Sequence, residues 1–353
     1  MNNVIRRNHY DVTDRVFLAD PPAVCEEVCS LLRRMGSNAD LRPVEQAFDT
    51  FGRLYAGMLP GYVGCETWYH DARHSLDCAL AMARLLEGHE RAVAAAERLG
   101  ERRAQLGVIA ALFHDAGYIR NSMDEEQHGA QFTLFHVRRG GDFLAGFLPS
   151  VGFAAEGPLA EQLVHFTGYE MELDQIQVHH PLDRRLGFML GSADVLAQMS
   201  DRCYLEKCRD FLYAEFEICG LAGSPRAGGA KLLYASREEL LHRTPEFQEK
   251  IWQERMDGYF EGSYRHAATH FGGRNLYLNA IEGHRLRLQE VLRTGQIYEG
   301  LRRRPECVNI GPLRVVLGLQ SADDASVRAA SRPPGYKQRS HAGAVDPRKY
   351  VPT

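Results

Sequence analysis

Apolar residues recur at helical spacing along most of the chain. Asp20-Pro21-Pro22 has an N-cap residue followed by first-turn prolines, and it predicts a helix through Cys25 to Met35, stopped by Gly36. A second helix over Pro43 to Met58 sets Val44, Ala47, Phe48, Phe51, Leu54 and Tyr55 on one face. Leu59-Pro60-Gly61 breaks the chain. After Trp68-Tyr69-His70-Asp71-Ala72-Arg73-His74 the apolar positions resume with Leu76, Ala79, Leu80, Met82, Ala83 and Leu86. Residues 88 to 103 are charged and alanine-rich, a solvated helix or connection. Gln105 to Phe113 is almost wholly apolar, which predicts a central helix buried on every side, with a chain reversal at Gly117.

Ser122-Met123-Asp124-Glu125 has capping-box spacing and predicts a helix to Arg139, closed by Gly140-Gly141. Beyond a glycine-rich connection, Gly146 to Gly157, Pro158 starts a helix over Leu159 to Thr167. Arg184 to Ile218 is helical in pattern, and Gly220 to Gly229 reads as a flexible loop. Ser236-Arg237-Glu238-Glu239 and Thr244-Pro245 each resemble a helix start, with helices expected at about 245 to 260 and 275 to 293. Val308, Ile310, Leu313, Val315 and Leu317 form a short strand or pack on the helical body. From Ser321 the chain is polar and aperiodic, the composition of a disordered tail. The expectation is an all-α fold of about ten helices. Residues 1–60 form a brace, 61–220 the core and 221–319 helices packed on it, with 320–353 as tail.

Composition narrows the function. With 353 residues and 44% hydrophobic content the chain can fill a core. A net charge of −4 argues against bulk binding to nucleic acid or an anionic membrane. No apolar run approaches the ~20 residues of a membrane span. The first ten residues are polar, without a signal-peptide core. Eight cysteines show no CxxC pair or disulfide framework, which suits a reducing cytoplasm. Histidine is the unusual count, at 15.

His70 and His74 are four apart, so a helix presents both imidazoles on one face. A His-Asp dipeptide, His114-Asp115, follows, and Asp194 lies in a later helix. Imidazole plus carboxylate is a ligand set for Zn, Mn, Fe or Ni. This order resembles the H…HD…D signature of the HD-domain metal-dependent phosphohydrolases over roughly residues 66 to 215. Tyr69-His70-Asp71-x-x-His74 is similar to the Tyr-His-Asn-x-x-x-His stretch of the cyclic-nucleotide phosphodiesterase branch, with Asp71 where that branch has Asn.

The resemblance implies an HD-type helical bundle. One or two divalent ions would be held by His74, His114, Asp115 and Asp194, with Asp115 as the bridge and Mg a candidate at the second site. It also implies His70 as the acid that protonates the leaving oxygen, and a nucleotide-like phosphoester as substrate. Asp71 would orient a neighbouring histidine or water. Glu126, His128 and His165 are candidates beside the metals, and Gln198 follows Asp194 at helical spacing. With His128 and His165 as ligands, the pattern also resembles the di-iron oxygenases of the HD superfamily. A catalytically silent binding module is the third alternative, and a homodimer is in keeping with any of them. His136, His179, His180, His266 and His270 lack ligand spacing and read as ordinary core or surface residues. Arg73 and Lys207 read as solvated or salt-bridged surface cations. Phe247, Gln248 and Trp252 are the candidates for gripping a base.

Overall fold

The computed structural model describes residues 6–36, 39–223 and 232–308. Among them the regular structure is helical, with only three isolated β-bridges. The chain-order helices are α1 Pro21–Met35, α2 Arg42–Tyr55, α3 Ala72–Ala92, α4 Gly100–Phe113, α5 His136–Phe147, α6 Gly157–Leu163 and α7 Pro181–Ser200. Then come α8 Tyr204–Lys207, α9 Tyr213–Ile218, α10 Arg237–Lys250, α11 His266–His270, α12 Leu276–Thr294 and α13 Ile297–Gly300. Two π-helical stretches interrupt this order, Cys208–Leu212 between α8 and α9 and Ile251–Tyr259 directly after α10. The all-α expectation holds. The expected tail and the residues Ile310, Leu313, Val315 and Leu317 lie outside the described residues, as does most of the glycine loop after Gly223.

The centre of the fold is α3. Eighteen of its residues are buried, from Ala72 to His89 without a break. It packs against α1, α4, α7 and α11. Helix α4 is buried continuously from Ala104 to Phe113, as its unbroken apolar run requires. By contrast α1 and α2 each bury one face, on the outside of α3 and α4. One contiguous apolar core runs from Leu18 to Leu301. Burying a leucine such as Leu76 or Leu80 contributes about 1.5–3 kcal/mol.

The structure corrects the expected helix from Ser122 to Arg139. Asp124 accepts hydrogen bonds from the Asn121 backbone N–H (2.8 Å) and side-chain amide (3.1 Å), and Arg139 pairs with it at 2.7 Å. Asn121 Oδ1 also accepts the Met123 N–H. These local side-chain bonds give the backbone an alternative to a helix, and the segment folds as turns. The real cap lies six residues on. There His128 Nδ1 accepts the Ala130 N–H, and Gln131 accepts the Gln127 and His128 N–H groups.

Gly140 and Gly141 do not close a helix; they sit inside α5. Nor does Gly117 make a left-handed turn. A Cβ there would lie 1.8 Å from the His136 carbonyl oxygen, and one at Gly140 would lie 2.6 Å from the His114 carbonyl oxygen. These two glycines let α5 press against the turn after His114-Asp115. Pro245, expected at a helix start, lies within α10, which begins behind Ser236 with its side chain accepting the Glu239 N–H.

Candidate metal centre

Three helices deliver four side chains to one point. Asp71 caps α3, its Oδ1 accepting the His74 N–H at 3.1 Å, so His74 enters in the first turn of that helix. His114 ends α4 and Asp115 follows it. Asp194 comes from the middle of α7, which packs on both. His74 Nε2 lies 3.1 Å from Asp194 Oδ1 and 3.4 Å from Asp115 Oδ2. His114 Nε2 lies 3.3 Å from Asp115 Oδ2, 3.6 Å from Asp194 Oδ1 and 3.3 Å from His74 Nε2.

The hydrogen-bond inventory shows what this cluster lacks. His114 Nδ1 donates to the Ala111 carbonyl at 2.8 Å, which leaves Nε2 with its lone pair in the neutral ring. Asp115 Oδ2 and Asp194 Oδ1 are buried without a hydrogen-bond partner. Electron pairs therefore converge with no proton of their own between them, an arrangement a cation satisfies. Ligands about 2.0–2.2 Å from a shared ion sit roughly 3.0–3.5 Å apart, and the observed spacings match. Without an ion a proton takes that role. Burial opposes charge on His114, but Asp115 outweighs it and raises the imidazole well above its ordinary pKa. Burial likewise opposes charge on Asp115 and Asp194, and the facing histidines hold both carboxyls below the ordinary range. Cys78 Sγ lies within 4.8 Å of the His114 and Asp194 donors, but burial pushes the thiol up to about 11, so it is a neutral neighbour.

His70 is held apart from this group. Its Nδ1 lies 2.6 Å from Glu215 Oε2, and Glu215 Oε1 accepts the Trp68 and Tyr69 N–H groups at 2.6 Å each. Glu215 is fully buried. Burial lowers the His70 pKa and Glu215 raises it, with a net upward shift. The ring stacks on Tyr118 at 4.5 Å, and Tyr118 stacks in turn on His136 at 4.2 Å. The other ring nitrogen of His70 is the one free to meet a ligand in the cavity that the histidine lines.

His136 is not the plain core residue its spacing implied. Its Nδ1 bonds to the Thr133 carbonyl at 2.8 Å, and its Nε2 lies 3.7 Å from Asp115 Oδ1. Burial depresses its pKa to about 4, so the ring is neutral at pH 7 with Nε2 unprotonated. Asp115 thus turns one oxygen to His74 and His114 and the other toward His136, as a bridging carboxylate would.

The remaining candidates separate. Gln198 lines the cavity beside Asp194, and Thr167 and Gly168 line it too. His165 does not; it is buried next to them with Nδ1 unpartnered, its pKa lowered to about 4 by burial. His128 caps its 3-10 turn and packs tilted against Trp68, ring centroids 5.3 Å apart, outside the cavity. Glu126 also lies outside it. Asp71 lies outside the cavity lining; its oxygens meet the His74 N–H as the α3 cap, Lys207 and the Val308 N–H, so it acts on His74 through the backbone. Arg73 and Lys207, expected at the surface, are buried and pair with Asp201. Of the base-gripping candidates only Phe247 lines the cavity; Gln248 is 3.5 Å from the Tyr204 hydroxyl and Trp252 packs on Tyr264.

The cavity encloses about 1030 Å³ including its mouth. Its lining holds the clustered histidines and aspartates together with five tyrosines, Tyr69, Tyr118, Tyr169, Tyr204 and Tyr234. Sequence reasoning missed Glu215, His136, Tyr169 and Arg255. Comparison of the chain with protein-family models, with curated proteins and with solved structures gave no match.

Proposed function

We propose that this protein is a metal-dependent phosphohydrolase that cleaves a nucleotide-like phosphodiester. The observation that carries the reading is the pair of buried, unpartnered carboxylate oxygens facing two imidazole nitrogens, with His70 independently clamped beside them. His74, His114, Asp115 and Asp194 would hold one divalent ion, and the second oxygen of Asp115 with His136 would hold another. Such an ion polarises a phosphoryl oxygen and lowers the pKa of a bound water toward 7.

The chain's own groups supply the rest. Glu215 fixes the His70 ring and keeps a proton on Nδ1. The upward pKa shift favours the imidazolium, so the opposite nitrogen carries a proton toward the leaving oxygen. The aromatic walls exclude water and offer stacking faces for a ring. Cytoplasmic residence and a homodimer remain part of this proposal; no helix among the described residues is long and apolar enough to cross a membrane.

Elemental analysis of protein purified without chelator, with Asp115→Ala alongside, is the first test. One or two equivalents of transition metal in the wild type and none in the variant are expected. Hydrolysis of a panel of nucleotide phosphodiesters should follow metal content. No metal after incubation with Mn, Zn and Fe would overturn the reading. His136 beside the outer face of Asp115 favours one second reading, a di-iron oxygenase, because it adds a nitrogen donor at the second position. Two equivalents of iron with substrate-dependent oxygen consumption would select it.

A further inference from the structure

The structure assigns Arg255 as the receptor for a second anionic group on the substrate, in the same cavity as Asp115 and Asp194 but in no ion pair with either. Arg255 is about nine-tenths buried, 9% exposed, and lines the cavity as its one Lys or Arg among the described residues. Its guanidinium donates to the Gly168 carbonyl at 2.6 Å and the Phe166 carbonyl at 3.5 Å, and lies 3.9 Å over the Tyr169 ring. Those contacts orient it and use only part of its donor capacity. Among the described residues no carboxylate forms an ion pair with it. The other buried arginines are all paired: Arg73 with Asp201, Arg84 with Asp11 and Arg209 with Asp210.

A buried cation without a counter-charge carries a desolvation penalty; the two carbonyls and the Tyr169 ring offset part of it, and an anion would offset more. The two acids lining this cavity, Asp115 and Asp194, are committed to the histidines. A ligand that enters this cavity is the remaining source of a counter-charge for it.

The backbone gives a second, independent indication. Arg255 and Ile251 belong to one π-helical stretch, and Cys208 and Leu212 to the other; all four line this same cavity. The π-helix is rare, and it appears frequently at functional sites. Here two flank one cavity. The inferred ligand class is a ring-bearing phosphoester whose far side carries a carboxylate or a second phosphate, with the ring between the tyrosine walls. This rests on the hydrolase reading for the group at the metal end; the Arg255 contact does not.

Calorimetric titration of the metal-loaded full chain tests it with non-hydrolysable probes. These are phenylphosphonate, its 4-carboxy and 4-(2-carboxyethyl) derivatives, and 1,4-phenylenebisphosphonate. The second anion should tighten binding roughly tenfold or more in at least one derivative. The carboxylate and phosphonate arms report which anion is preferred. Arg255→Gln should erase the gain, and Arg255→Lys should keep part of it as a point charge. Equal binding of all four probes by the wild type would overturn the proposal whether or not a variant folds, as would a gain that survives Arg255→Gln. Metal content measured on the same samples keeps the two readings apart. Protein without metal that still prefers the doubly anionic probes would sink the hydrolase reading and leave the Arg255 assignment standing.

Discussion

Two clusters of buried charge lie close together around the start of α3, and they are built on opposite principles. In one, Asp201 is shared by Arg73 and Lys207 (3.2 Å), and Lys207 also reaches Asp71 at 3.7 Å. Each acid there has a basic partner or a backbone donor, and Asp71 is used up as helix cap and acceptor for Val308. In the other, His74, His114, Asp115 and Asp194 present acceptors to one another and leave two oxygens without partners. The paired cluster is complete as it stands. The metal-type cluster is complete only when something positive arrives. Burial is alike in both, so satisfaction, not burial, separates a self-sufficient set of charges from one with room for a cation.

Mutations should break this comparison in opposite senses. Asp115→Ala should abolish metal binding while leaving the melting temperature of the metal-free protein unchanged or raised. Asp201→Ala should keep the metal and lose roughly 3–5 kcal/mol of stability, because Arg73 and Lys207 are then buried without a counter-charge. Urea titration paired with elemental analysis reads both. Next in size, His70→Ala should retain metal and lose about 10²- to 10⁴-fold in rate, the contribution of a general acid. Release of metal by that variant would make His70 a ligand instead.

Gly117→Ala should cost roughly 1–3 kcal/mol and loosen the second metal position first, since the added methyl drives into the His136 carbonyl. Differential metal stoichiometry, two falling to one, would show it.

The last expected effect, of the same order, is in the pH profile. The Asp201 pKa is depressed by Arg73 and Lys207, against the opposing effect of burial. Its stabilisation is therefore present above the ordinary carboxylate value and lost as pH falls through the lower folded value. Asp77 is the reverse: burial, with Asp11 nearby, raises it to about 7, and one of its oxygens has no partner. Its protonated form is favoured by folding, so stability falls as pH rises from about 4 to 7. Asp77→Asn should flatten that decline and gain about 1–3 kcal/mol at pH 8. Chemical denaturation at pH 5 and pH 8 checks the sign.

The sequence made the metal-type cluster legible because its residues sit on strongly periodic helices. His74 and the stripe through Leu86, and the apolar run ending at Phe113, determine where the imidazoles go. The segment after Asp115 was not legible, because Asn121 and Asp124 compete for the backbone with short-range bonds that mimic a helix start. That misplaced His128 and hid His136, whose approach depends on the absence of a Cβ at Gly117 and Gly140. Glu215 and Arg255 carried no spacing signal at all. Glu215 reaches His70 across 145 positions, and Arg255 reaches Gly168 across 87. Chemistry assembled by long-range packing leaves no local pattern to read.

The hydrogen bond from the Val308 N–H to Asp71 Oδ2 joins residues 237 positions apart. Nearby, Arg303 donates to Glu206 and Arg209 to the Leu301 carbonyl. For a chain emerging from the ribosome this sets an order of events. The helices bearing His74, His114, Asp115 and Asp194 are all synthesised long before residue 308 exists, so they can associate while the cap on the first of them is half made. The last link then clips the head of α3 to a segment made 237 positions later, and a nascent chain arrested before it would carry a centre whose leading helix is loosely held.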